Sequence, residues 1–450
     1  METAKRATVS GVGSEGKGSG SIRGHKVPSS LTFVAATIAL LSLTSNIVVF
    51  YKSQGEGGMS PHHGVSGSNS HLTGEEEGKI RSTDTDSVVI NLDHGDPTMF
   101  EPFWRATGER GLVVVPGWQT MSYFSRADGL CWFMEPRLAG EIMRLHRLVG
   151  NAETEGRHIV VGTGSTQLFQ AALYALSSPD AMEPVSVVSA APFYSSYPAV
   201  TDFLRSGLYR WAGDARSFNG DGPYIELVCS PNNPDGYMTE PVVNKEKGKT
   251  IHDLAYYWPQ YAPITGAASH DIMLFTFSKI TGHAGTRIGW ALVKDRDIAE
   301  KMTKFIELNT IGVSKDSQLR AARILGAVSD GYEIGGHRHH GRFFEFGRRL
   351  MAERWDRLRE AVRITNSFSV PDYPSADCNF TGESTSLLPA FAWLRCEKEG
   401  VEDCREFLRS LGILTRSGKL FGSEPNYVRV SMLDRDENFD FFIQRLLSIR

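Results

Sequence analysis

The chain has 450 residues, 41% hydrophobic and 22% charged, with a formal net charge of -4. This is ordinary globular composition, long enough for two packed lobes, and it gives no sign of the basic stripe a nucleic-acid partner needs. The five cysteines, odd in number and without a CxxC pair, argue against a disulfide scaffold and a zinc site. Free thiols are expected at Cys131, Cys229, Cys378, Cys396 and Cys404, although the last three could hold one disulfide if that part of the chain is lumenal.

Residues 1–30 are rich in Gly, Ser and Lys and read as a disordered basic tail. Gly11-Val12-Gly13-Ser14-Glu15-Gly16 matches GxGxxG, but no strand precedes it, so the match carries no dinucleotide site. Residues 31–51 are 21 positions without a charge. At about 1.5 Å per residue they span roughly 31 Å, the thickness of a bilayer core, and predict one uncleaved transmembrane anchor. Lys5, Arg6, Lys17, Arg23 and Lys26 precede this span and Lys52 follows it. That bias predicts a cytosolic N-terminus and a lumenal body, on which Asn379-Phe380-Thr381 becomes a glycosylation candidate. Residues 52–86, rich in Gly, Ser, His and Glu, read as a flexible linker.

From residue 87 apolar runs of strand length alternate with helical stretches: 158–161, 185–189, 224–229, 273–277 and 289–293. This alternation predicts an α/β fold with a mostly parallel sheet. The organisation expected is an N-terminal arm and large domain over 87–340 and a small α+β C-terminal domain over 341–450. A helix-rich, charged stretch over 295–363 connects them. The histidines at 337, 339 and 340 lack ligand spacing, and no metal site is expected.

Four motifs carry chemistry. Gly162-Thr163-Gly164-Ser165-Thr166-Gln167 leads from a strand into an apolar helix over 168–176, a turn suited to an anion. Asn232-Asn233-Pro234-Asp235-Gly236 closes the strand over 224–229 and points Asn233 into a crevice at its carboxyl end. Asp253, in His252-Asp253-Leu254-Ala255-Tyr256, offers a carboxylate to a pyridine nitrogen, with Tyr256 nearby for a phenolic oxygen. Thr276-Phe277-Ser278-Lys279 ends a strand in a hydroxyl-flanked lysine. Arg287, eight residues on, offers a planar fork of donors suited to phosphate.

In this order the motifs resemble fold-type I transferases dependent on pyridoxal 5'-phosphate (PLP). The closer resemblance is to the plant tryptophan aminotransferase-related family, which shares its fold with alliinase. Asn91-Leu92-Asp93-His94-Gly95-Asp96-Pro97-Thr98 and Trp132-Phe133-Met134-Glu135-Pro136 support it. The resemblance implies Lys279 as the Schiff-base lysine and proton shuttle and Asp253 as the pyridinium partner. It places Asn233 and Tyr256 on the phenolic oxygen, and Ser165, Thr166, Thr276, Ser278 and Arg287 around the phosphate with Tyr123 nearby. Arg429, alternating with Val428 and Val430 on a strand, is assigned to a substrate carboxylate. Phe103, Trp104, Trp118, Tyr123 and Phe124 are candidates for an aromatic substrate wall. A homodimer, residence in the endoplasmic reticulum, and conversion of L-tryptophan to indole-3-pyruvate are also implied. The rival readings are an alliinase-type carbon–sulfur lyase and an inactive tethered protein on the same fold. Against the lyase stands the missing cysteine-rich segment, since no cysteine precedes Cys131.

Overall fold

A computed structural model describes residues 89–125, 129–333 and 342–449, all within one compact unit spanning Ser82–Arg450. The tail, anchor and linker expected over 1–86, and the histidine cluster, lie outside the described residues. Among the described residues no helix is long and apolar enough to cross a membrane.

The first eight strands are β1 (Ile90–Asn91), β2 (His158–Gly162), β3 (Val185–Ser189), β4 (Tyr209–Asp214), β5 (Tyr224–Cys229), β6 (Gly248–Asp253), β7 (Ile272–Thr276) and β8 (Gly289–Val293). All but β1 form one sheet in the order β2-β8-β7-β6-β5-β3-β4. Its pairs are parallel except those of β8, which runs antiparallel to β2 and β7. The sheet is thus mixed, with one reversed strand. β7 reaches its antiparallel neighbour β8 through residues 277–288, which return the chain at the same edge of the sheet. Every residue of β5, β7 and β8 is buried, as expected of central strands covered on both faces. Glu226 in β5 is tolerated there because its two carboxylate oxygens accept from the N–H groups of Val242 and Val243 at 2.7 and 3.0 Å.

Helices α1 (Glu101–Thr107), α2 (Pro136–Val149), α3 (Gly164–Leu176), α4 (Tyr197–Asp202), α5 (Phe277–Ile280), α6 (Arg296–Thr310), α7 (Lys315–Glu333) and α8 (Phe343–Thr365) follow in chain order. α2 begins with Pro136 and stops at Gly150 in the left-handed conformation. Between them Leu138, Ile142, Leu145 and Val149 recur at helical spacing and are buried. Each contributes roughly 1.5–3 kcal/mol by leaving water, and Ile142→Asp would leave a buried charge without a partner. Phe277, expected to close a strand, instead opens α5, because the Thr276 hydroxyl accepts from the Ser278 N–H at 3.3 Å.

The C-terminal part adds β9 (Phe368–Ser369), β10 (Ser375–Cys378), β11 (Glu383–Ser386), β12 (Phe391–Cys396), α9 (Cys404–Ser410), β13 (Ile413–Leu414), β14 (Arg416–Ser417), β15 (Tyr427–Ser431) and α10 (Asp436–Ser448). β14, β15, β12 and β9 form an antiparallel sheet in that order. β1 pairs in parallel with β13, which ties the start of the described chain to this part. Free thiols were expected throughout, but Cys396 and Cys404 form a disulfide, with Cα atoms 5.6 Å apart. The end of β12 and the start of α9 are brought together by a turn that spacing alone does not reveal. Cys131, Cys229 and Cys378 are free and buried.

Candidate active site

The carboxyl ends of β2, β5, β6 and β7 open on one cavity of about 180 Å³. Reversed β8 begins at the same edge, since Gly289 pairs with both Gly162 and Thr276. The hairpin therefore delivers Arg287 beside Lys279. Of the residues expected to hold the cofactor, Ser165, Thr166, Asn233, Asp253, Tyr256, Thr276, Ser278, Lys279 and Arg287 line the cavity.

At one end the first turn of α3 faces Arg287. No side chain caps this helix at Thr163, so its leading N–H groups are free to meet an anion. Arg287 is held in the left-handed region, φ 56°, a conformation costing of order 1–2 kcal/mol for a residue with a Cβ. Its Nη1 donates to the Ala284 carbonyl at 3.0 Å and lies 3.5 Å from Ser278 Oγ. Two glycines make the room. A Cβ on Gly164 would collide with the Arg287 guanidinium, and one on Gly289 would stand 2.7 Å from the Ser165 nitrogen. A cation, several hydroxyls and free N–H groups in one cup suit a phosphate dianion.

In the middle of the cavity, burial pulls the Lys279 ammonium down to about 8, and the nearby charges of Arg429 and Arg287 act in the same sense. Its Nζ donates to the Gly95 carbonyl. The turn bearing it is fixed from below: Tyr261 donates to the Lys279 carbonyl at 3.1 Å and Gln260 to that of Ile280 at 3.0 Å. Asp253 ends β6. Burial pushes its carboxyl up to about 6, against hydrogen bonds from Tyr197 and the Ala255 N–H that pull it down. A half-buried carboxylate without an ion-pair partner among the described residues fits a ring nitrogen that carries a proton. Tyr256 is buried, and burial raises its phenol well above the ordinary value.

Arg429, on β15, does not itself line the cavity but stands behind its Asn233 and is 2% exposed. It donates to Asn233 Oδ1 at 3.0 Å and to the Asp93 carbonyl. Its guanidinium carbon lies 4.0 Å from the Phe391 ring centre and 5.3 Å from that of Phe421. Burial lowers its pKa to about 10. Its Nε is buried without a partner, spare capacity that a carboxylate suits.

Two expected groups lie outside this cavity. Tyr123 does not line the cavity of its own chain; it is 71% exposed. Its loop is tied to α7, where Lys315 Nζ donates to the Phe124 carbonyl at 2.9 Å. The aromatic wall also dissolves. Phe103 and Trp104 pack against Phe343, while Trp118 and Phe124 are exposed. The structure instead brings in Tyr194, Cys229, Ala255 and Ala284. Tyr194 and Tyr197 had a weak signal, a tyrosine-rich run soon after the carboxyl end of β3, where crevices open in parallel sheets.

The sequence matches the allinase family over residues 90–450. Tryptophan aminotransferase-related protein 2 of Oryza sativa subsp. japonica is 66% identical over 379 residues, covering 81% of this chain and 74% of that one. The protein of the same description from Arabidopsis thaliana is 60% identical over 364 residues, covering 81% and 82%. Alliin lyase 1 of Allium sativum is 36% identical over 359 residues, covering 77% and 72%. Among solved structures, an Escherichia coli protein described as having a methionine aminotransferase function aligns with a TM-score of 0.54 at 16% identity, over 80% of this chain and 93% of that one. An aspartate aminotransferase from Rhodobacter sphaeroides aligns with 0.55 at 16%, over 83% and 94%. These structural likenesses establish the fold, the type I fold of PLP-dependent aminotransferases. A half-buried lysine, a half-buried carboxylate and an anion cup in one cavity fit that cofactor. The chain belongs to the allinase family, with the plant tryptophan aminotransferase-related proteins among its relatives, and its cofactor is pyridoxal 5'-phosphate.

Proposed function

We propose that this protein is an aminotransferase that converts L-tryptophan and a 2-oxo acid to indole-3-pyruvate and an amino acid, the opening step of an auxin route. The observation that carries the reading is the buried Arg429, with an unpartnered Nε and two aromatic rings beside it, in reach of the cavity that holds Lys279. An α-amino acid brings a carboxylate for the first and an α-proton for the second. The 66% identity to a tryptophan aminotransferase-related protein supports the aromatic donor.

When bound, the cofactor supplies an electron sink conjugated to the substrate's α-carbon. Asp253 holds a proton on the ring nitrogen. Arg429 anchors the carboxylate and so fixes which substituent faces Lys279. Lys279 Nζ, whose pKa burial lowers to about 8, would serve as the base that takes the proton from the substrate's α-carbon. Asn233 and Tyr256 hold the phenolic oxygen, and Arg287, Ser165, Thr166, Thr276 and Ser278 hold the phosphate.

The second reading, a carbon–sulfur lyase on S-alkyl cysteine sulfoxides, draws on the allinase family match. The identity to an alliin lyase is only 36%. An inactive interaction protein would not need the whole set of Lys279, Asp253 and Arg287. The deciding assay incubates the protein with PLP, L-tryptophan and pyruvate or 2-oxoglutarate, beside Lys279→Ala. Indole-3-pyruvate that requires both Lys279 and the oxo acid is expected. Pyruvate and ammonia from an S-alkyl cysteine sulfoxide, with no indole-3-pyruvate, would replace this reading by the lyase.

The same proposal places the chain in the membrane of the endoplasmic reticulum through residues 31–51, with the body lumenal. The Cys396–Cys404 disulfide suits an oxidising compartment. Protection of the body from added protease in sealed microsomes is expected; digestion would reverse the orientation. A homodimer is the third element. Leu112, Val114, Trp118, Met121, Tyr123 and Phe124 form an exposed apolar run suited to a second copy. Tyr123, absent from its own chain's cavity, is then free to serve the partner's phosphate.

A further inference from the structure

Asp253 carries a charge that the protein must keep both ionised and aimed. Only two hydrogen-bond donors reach it among the described residues. The Ala255 N–H serves Oδ1 at 3.2 Å, and the Tyr197 hydroxyl serves Oδ2 at 3.1 Å. A carboxylate cannot donate, so Tyr197 is the donor in that pair. The tyrosine comes from α4 and is 4% exposed. Its ring sits between those of Phe169 and Tyr194, with centroids 5.4 and 5.3 Å away. The other titratable groups around Asp253 are the Cys229 thiol from β5 and, across the cavity, Tyr194, Tyr256, Lys279 and Arg287. The Cys229 thiol is occupied with the Pro231 carbonyl at 3.4 Å. No described basic side chain forms an ion pair with Asp253.

We propose that Tyr197 is a positioning residue for the cofactor's ring nitrogen, acting through Asp253 by holding Oδ2 with one hydrogen bond. Without it Asp253 keeps a single donor in a buried site, and burial favours the protonated carboxyl. A neutral carboxyl no longer holds the proton of the ring nitrogen. Tyr197→Phe removes this one bond and leaves a ring that still fits between two aromatic neighbours. The proposal depends on the cofactor but not on which reaction follows, so it stands whether the enzyme transfers an amino group or cleaves a carbon–sulfur bond.

The test is a double-mutant cycle in the full-length protein, with Tyr197→Phe, Asp253→Asn and the double variant. Three quantities are read: the Kd of PLP for the apoprotein, the pH at which the bound cofactor's visible band titrates, and the apoprotein Tm. Tyr197→Phe should weaken PLP binding about tenfold, the scale of a hydrogen bond to a charged group, and shift the titration of the band. In the Asp253→Asn background the same change should cost less than about twofold, because the partner charge is gone. An equal loss in both backgrounds would make Tyr197 a packing residue only and overturn the proposal. So would an unchanged Kd and titration in the single variant. Failure of the wild-type protein to bind PLP would instead remove the cofactor assignment, a distinct result.

Discussion

Replacing Lys279 with methionine should stabilise the apoprotein while destroying the site. The buried amine has a pKa of about 8 against an ordinary 10.5. A lysine whose folded pKa is depressed binds fewer protons in the folded state, so its charge costs stability at every pH below about 8, and the cost fades as pH rises from 8 to 10.5. A difference of about 2.5 at about 1.36 kcal/mol per pKa unit is roughly 3 kcal/mol at neutral pH. Methionine fills similar space without the charge but forfeits the hydrogen bond to the Gly95 carbonyl, a loss of about 1 kcal/mol. The net is a gain of about 2 kcal/mol for the variant apoprotein at pH 7. Thermal unfolding of the two apoproteins at pH 7 and at pH 10 measures it. The variant should melt higher at pH 7, and the gap should close by pH 10. A variant that melts lower at pH 7, or a gap that ignores pH, would show that Lys279 is not a desolvated charge, and the argument for its role as a base near neutrality would fail.

Arg429→Met removes the charge expected to meet the substrate carboxylate. It should raise the KM for the amino acid by about 100-fold while leaving PLP absorbance intact, as steady-state kinetics and a spectrum would report. Gly164→Ala adds a Cβ that collides with Arg287 at a φ of 75°; with about 1–2 kcal/mol of backbone strain as well, PLP should dissociate readily on dialysis. Cys396→Ser opens the loop between residues eight apart. It should cost about 2–3 kcal/mol by loop entropy, read as a lower Tm with an unchanged Kd for PLP.

The sequence made the cavity legible because its chemistry is carried by side chains at strand ends. Asn233, Asp253 and Lys279 each close a strand or follow it directly, and Arg287 stands one hairpin away, so order and spacing survive into geometry. Contacts made by backbone atoms leave no such trace. Any residue could present the carbonyls that Asp93 and Gly95 offer to Arg429 and Lys279. Tyr197 was missed for a related reason: its six-residue helix is too short for periodicity, and its partner Asp253 lies 56 positions away. The disulfide was only an alternative among Cys378, Cys396 and Cys404, because eight residues can run straight or fold back with equal sequence support. Trp118, Tyr123 and Phe124 lie outside the cavity because apolar composition cannot distinguish a pocket wall from an exposed surface.

The reversed strand explains why so much of the site could be read at all. The lysine strand β7 and its antiparallel neighbour β8 are joined by residues 277–288, which include the short helix α5. Lys279 and Arg287 both lie within that one connection, so the groups expected to take the amine and the phosphate stand eight residues apart in sequence. The cost appears at Arg287, which must adopt a left-handed backbone to turn its side chain back toward α3. Gly164 and Gly289 keep that turn open, one beneath the guanidinium and the other beneath the helix start. Lengthening the hairpin would relax Arg287 and separate the two groups. This one connection carries both the lysine and the arginine, which couples cofactor anchoring to the position of the base, and its last turn holds Arg287 in the left-handed region.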